Sequence, residues 1–182
     1  MADAGGAPGW FRTFERVTKA TNGAFALLAS TGAAAIVALV LLAIVLRIVG
    51  RPLMWPYNIA EFTLVYVFFL ALAPALESGH HIRVELFDRM VPRPIRPAVP
   101  YIAALLTIIF GVVFCWQLWR MTSRAFGDNR LAIASIVVPL KWVYVAGPIG
   151  AIQFILTGFV ELGRAYWRET DEPPALKTVA EV

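Results

Sequence analysis

Residues 24–46 read AFALLASTGAAAIVALVLLAIVL, a run without one charged side chain. A bilayer core about 30 Å thick is crossed by roughly 20 apolar residues in a helix, so this stretch predicts a transmembrane helix. Three more runs follow: 59–76, with Glu61 near its start; 99–119, with Gln117 near its end; and 140–160, with Lys141 at its edge. All are continuously apolar, without the alternation of barrel strands and too few to close a barrel. The sequence therefore predicts an all-α integral membrane protein with four transmembrane helices.

Composition agrees. Of the 182 residues, 59% are hydrophobic and 15% charged, against about 45–50% and about 25% in soluble domains. The net charge of +4 would point to nucleic acid on a soluble fold, but here the Lys and Arg sit between apolar blocks. That placement fits membrane orientation and lipid head groups and gives no nucleic-acid partner. The single cysteine, Cys115, lies inside an apolar run and can form no intrachain disulfide.

The spans divide the chain into an N-terminal segment 1–23, a four-helix domain 24–162 and a tail 163–182 expected to be mobile. Residues 1–23 are too polar for a secretory signal, so the first span is expected to stay attached. Trp10, Phe11, Phe14, Val17 and Thr18 fall at helical spacing between Arg12, Glu15, Arg16 and Lys19, which predicts a short amphipathic helix lying flat on the membrane before the first span. Between spans two and three, Ile82, Leu86 and Met90 share a helical stripe that ends at Pro92 and Pro94, and a short interfacial helix is expected there.

Lys and Arg counts set the orientation. One side carries Arg12, Arg16, Lys19, Arg83, Arg89, Arg93, Arg96, Arg164, Arg168 and Lys177; the other carries Arg47, Arg51, Arg120, Arg124, Arg130 and Lys141. Ten against six places both termini in the cytoplasm.

The central thirds of the four spans lack Asp, Glu, Lys, Arg and His, which argues against a substrate path through this chain. Glu61 is the acid nearest the membrane. It reads either as a proton-coupling carboxylate or, given its depth near a span end, as an interfacial acid bonding a neighbouring helix or subunit. His80 and His81 diverge by about 100° on a helix and cannot ligate one ion from the same face; Glu77 and Glu85 lie within a turn, but nothing in the spacing forces a metal site. No metal, haem or other cofactor is assigned. Phosphate-binding loops, hydrolase elbows, zinc-protease motifs and dinucleotide fingerprints are absent, so no enzymatic activity is expected. Ala29 with Ala33, Ala34 with Ala38, and Gly147, Gly150 and Gly158 permit close helix approach. Pro74 and Pro148 lie inside spans, where a neighbour must satisfy the freed carbonyls.

Three stretches together resemble the small membrane subunit of tripartite ATP-independent periplasmic (TRAP) transporters. Gly79 followed by His81-Ile82-Arg83-Val84-Glu85 is similar to that family's signature after the second span, with Glu85 where Asp is usual. Glu61 opens a helix running FTLVYVFFLALA, with Ala60 where many members carry a second acid. VPLKWVYVAGPIG, 138–150, is like the family's entry to the last span. The resemblance implies a multi-pass protein of the bacterial inner membrane acting as a non-catalytic scaffold. It implies two partners: a large membrane subunit, which moves an organic anion by ion coupling, and a periplasmic binding protein, which delivers it. His81, Arg83 and Glu85 would then fix the inner loop and Glu61 the outer end of the second span. Arg124, Asp128 and Arg130 form a candidate periplasmic docking loop, which reads equally as a loop near lipid head groups. Two other classes stay open at this point: a membrane anchor for a haem or quinone enzyme, and a proton-coupled exporter centred on Glu61.

Overall fold

The computed structural model describes residues 8–78, 98–127, 131–132 and 138–171. These form four long helices: α1 (Gly9–Ile48), α2 (Trp55–Ser78), α3 (Val99–Gly127) and α4 (Leu140–Asp171). A two-residue antiparallel pair, β1 (Leu131–Ala132) with β2 (Val138–Pro139), precedes α4, Leu131 facing Pro139 and Ala132 facing Val138. Each expected span lies within one helix, and all four helices are long and apolar enough to cross a membrane. The interfacial helix expected in 79–97 lies outside the described residues.

The bundle is organised around its last helix. In α4, 61% of the most apolar stretch is buried, against 11% in each of the others. Helix α4 packs on α3, α2 and α1, and α1 also packs along α2. Leu27, Leu41, Leu106, Ile109 and Trp116 are exposed on the outer helices, as lipid or a partner chain requires and water does not allow.

Small residues set the contacts. Along α3, Ala104, Ile108 and Gly111, and three turns further on Thr122 and Ala125, are buried on one face, a seam laid against α4. A Cβ built on Gly150 would overlap the Phe69 carbonyl of α2, so at this crossing the absence of a side chain lets two backbones meet. Helix α1 ends in a Schellman arrangement: Gly50 adopts φ +78°, its N–H donates to Arg47 O (3.2 Å) and Arg51 N–H donates to Leu46 O (2.9 Å).

Several hydroxyls in and beside the apolar runs are satisfied locally. The hydroxyls of Thr21, Ser30, Thr31, Thr63 and Thr107 each donate to the carbonyl four residues back, which hides them from hydrocarbon. Pro148 has no N–H for the Tyr144 carbonyl. Thr122 Oγ1 of α3 lies 3.1 Å from that oxygen and 2.9 Å from Leu118 O, so its one proton can serve either. The neighbour that the proline demands is thus in the same chain. Tyr66 of α2 caps another early carbonyl of α4, that of Trp142.

Two expectations are corrected. Residues 9–23 are not a separate surface helix but the first turns of α1, which runs unbroken for 40 residues, about 60 Å at 1.5 Å per residue. Residues 163–171, expected within the tail, are the last turns of α4. The physical reason is common to both: the two extensions pack on each other, and that contact outweighs the weak helix preference of Asn22-Gly23 and of Gly163.

Candidate functional site

Where the start of α1, the end of α2 and the end of α4 meet, polar side chains turn inward. Along α4, Gln153, Thr157, Glu161 and Arg164 recur at steps of four, four and three, and along α1, Glu15, Thr18 and Asn22 recur at three and four. Those steps place each set on one helix face. Antiparallel packing sets the two stripes against each other, with Glu77 of α2 between them.

The apolar-side half of this junction is an amide and hydroxyl network. Asn22 Nδ2 donates to Glu77 Oε2 (2.8 Å) and Thr157 Oγ1 (3.1 Å), and its Oδ1 accepts from Gln153 Nε2 (2.7 Å). Gln153 Nε2 also donates to Thr18 O (3.2 Å), and Thr157 Oγ1 donates to Gln153 O (3.0 Å). Asn22, Thr18, Gln153 and Thr157 are all buried. Mutual satisfaction is what makes such burial tolerable, because each group left alone there would lose its hydration without replacement.

The other half is charged. Arg164 Nε and Nη2 both donate to Glu15 Oε1 at 2.8 Å, and Nη1 donates to Glu161 Oε1 at 2.8 Å. Glu77 Oε1 lies 4.0 Å from Nη2. One guanidinium therefore faces carboxylates from three helices, with Lys19 at the rim. Its planar fork suits this, since separate N–H groups reach separate acids. Below it, the Phe11 ring lies on Gly163, where a Cβ would collide with it. The space between the polar side chains is too small to admit a water molecule. The arrangement fastens three helices together.

Of the residues singled out from sequence, the two described ones, Glu61 and Arg124, fall elsewhere. Glu61 is exposed in the second turn of α2, at the opposite end of the bundle from the junction. Arg124 is exposed near the end of α3, one turn beyond Arg120, whose guanidinium lies over the Trp116 ring at 4.9 Å. His81, Arg83, Glu85, Asp128 and Arg130 lie outside the described residues. The structure does not bring Glu61 and Arg124 into the junction. Charge is absent from mid-span, yet the described residues contain a polar core near one end, built largely from side chains at or beyond the span ends and from the uncharged Gln153 and Thr157. The signal was present as the polar stripe continuing down the last apolar run.

Four helices long and apolar enough to span, three of them packed around the last, bare of charge in mid-span and tied at one end by a polar junction, define a multi-pass membrane protein. Residues 36–167 match the family of tripartite ATP-independent periplasmic transporters, DctQ component, and the chain belongs to that family. It is also similar to the sialic acid TRAP transporter permease protein SiaT of Haemophilus influenzae (strain 86-028NP), with 25% identity over 107 residues. That match covers 58% of this chain and 17% of the relative, so the chain spans less than a fifth of that protein's length. It is thus a TRAP transporter small membrane subunit, a transport component.

Proposed function

We propose that the protein is a non-catalytic scaffold of a TRAP secondary transporter in the bacterial inner membrane. In this reading it braces a large ion-coupled membrane subunit that takes up an organic anion handed over by a periplasmic binding protein. The observation that carries the reading is the distribution of polarity. The spans hold no mid-membrane charge, and the polar side chains that do turn inward are spent on one another in a close-packed tie. A chain that moved an ion or anion itself would instead present charge or broken helices to a hydrated path. The similarity to a sialic acid TRAP transporter permease of Haemophilus influenzae supports an organic acid as cargo of the assembled system.

The Lys and Arg bias assigns the junction and both termini to the cytoplasm and the α1–α2 and α3–α4 connections to the periplasm. His81, Arg83 and Glu85 then brace the inner side, Glu61 contacts a neighbour at the outer end, and Arg124, Asp128 and Arg130 meet the binding protein, where such charges set approach and register. The test is purification of the tagged chain, expressed with its large membrane partner, in mild detergent. Co-purification of that partner is expected. Recovery of the chain alone as a stable monomer or homo-oligomer, or anion transport by the chain alone in liposomes, would overturn the proposal.

A further inference from the structure

Glu77 stands in the last turn of α2, where no basic residue of the same turn offsets it. A carboxylate there opposes the helix dipole and needs outside donors. Both come from other helices: Asn22 of α1 donates to Oε2, and Arg164 of α4 approaches Oε1. Arg164 is itself held by Glu15 of α1, and Phe11 of α1 fits the gap left by Gly163. Removing the start of α1 would therefore strip Glu77 of one donor and Arg164 of one of its two nearest acids, beside a low-dielectric slab where neither is readily replaced. Glu77 is two residues before Gly79, which opens the signature run Gly79, His81, Ile82, Arg83, Val84, Glu85. Glu15, Thr18 and Asn22 lie outside the stretch matched to the family; Glu77, Gln153, Thr157, Glu161 and Arg164 lie inside it.

We infer that residues 9–23 are a strut of the scaffold, with Arg164 and Asn22 as positioning residues that fix Glu77, and hence the root of the signature segment, for assembly with the large subunit. This rests on the scaffold reading above, and the helix start acts here through Glu77 and not as a free surface element.

Two measurements test it on the full transporter. In the first, Phe11→Cys and Gly163→Cys are combined with Cys115→Ala and treated with a short bis-maleimide; an intrachain link, seen as faster gel migration, is expected. Its absence, with both thiols shown reactive to a single maleimide, would overturn the strut. In the second, Arg164→Glu is expected to lower the large subunit recovered per small subunit roughly tenfold. Arg164→Lys, which keeps a positive charge facing Glu15, Glu161 and Glu77, is expected to retain at least half of it, a rescue by the conservative variant that loss of folding alone would not give. Equal recovery with Arg164→Glu and the unaltered chain, or a folded Arg164→Lys variant that loses as much as Arg164→Glu, overturns the inference. An unaltered chain that captures no large subunit counts against the scaffold reading, while the cross-link still decides the strut.

Discussion

Arg164 Nη2 lies 2.8 Å from Glu15 Oε1, so a residue in the second turn of the first helix holds one near the end of the last. Both side chains keep a little over a quarter of their surface exposed. Replacing Arg164 by Gln should destabilise the isolated subunit by roughly 1–3 kcal/mol, between the values for exposed and buried pairs. Thermal unfolding in detergent at low and high salt measures it; high salt should shrink the difference, because a partly exposed pair is screened.

Asn22→Leu should cost more than its size suggests. The substitution removes the donor to Glu77 and Thr157 and the acceptor for Gln153. Hydrogen bonds between membrane helices average about 0.6 kcal/mol with a ceiling near 1.7, so a loss of about 1–3 kcal/mol is expected, with Gln153→Leu on top of it adding less than its own single effect. Full additivity of the two would show that the network is not shared.

The glycines of α4 should differ in rank. Gly150→Ala drives a methyl into the Phe69 backbone and should cost about 3 kcal/mol or more, whereas Gly147→Ala meets the tip of Leu118 at 3.1 Å and should cost less than about 1.5 kcal/mol. Gly23, with open space around its Cβ position, should tolerate Ala with a gain of about 0.5–1 kcal/mol from helix preference. A loss at Gly23 comparable to that at Gly150 would contradict the continuous packing of α1.

Thr122→Val keeps the shape and deletes the hydroxyl near Tyr144 O. Because Pro148 leaves that carbonyl without its helical donor, a destabilisation of about 0.5–1.5 kcal/mol is expected. In a chain with Pro148→Ala the same substitution should have a smaller effect.

Glu61→Gln should leave the thermal midpoint of the isolated subunit almost unmoved, within about 0.5 kcal/mol, as for exposed positions generally, since Glu61 is exposed. Reduced recovery of the large subunit by this variant, at unchanged stability, would assign Glu61 to the partner interface.

Much of the architecture could be read directly from residues 24–46 and the three later apolar runs, because spanning a bilayer depends on length and local hydrophobicity. The end of α1 is likewise a local matter, although it shows only in the structure, where Gly50 in the left-handed region closes the helix. The tie was harder to see. Gln153 and Thr157 carry no charge, so they pass as tolerable residues inside an apolar run; Glu15, Asn22, Glu161 and Arg164 lie near or beyond the expected span ends, where polar side chains draw no notice. Glu77 stands near the histidines in sequence, but its partners are Asn22 and Arg164, brought to it from the first and last helices.

The sequence by itself determined the number of spans, their positions and the family signature, because transfer into hydrocarbon adds up residue by residue along a helix. Only the tertiary structure decided that α1 and α4 continue past those spans and fasten to each other through Phe11 on Gly163, Glu15 on Arg164 and Asn22 on Gln153 and Thr157. Those bonds join residues more than a hundred positions apart. Each polar stripe is unfavourable in an apolar setting until the other meets it, so neither segment alone specifies the tie.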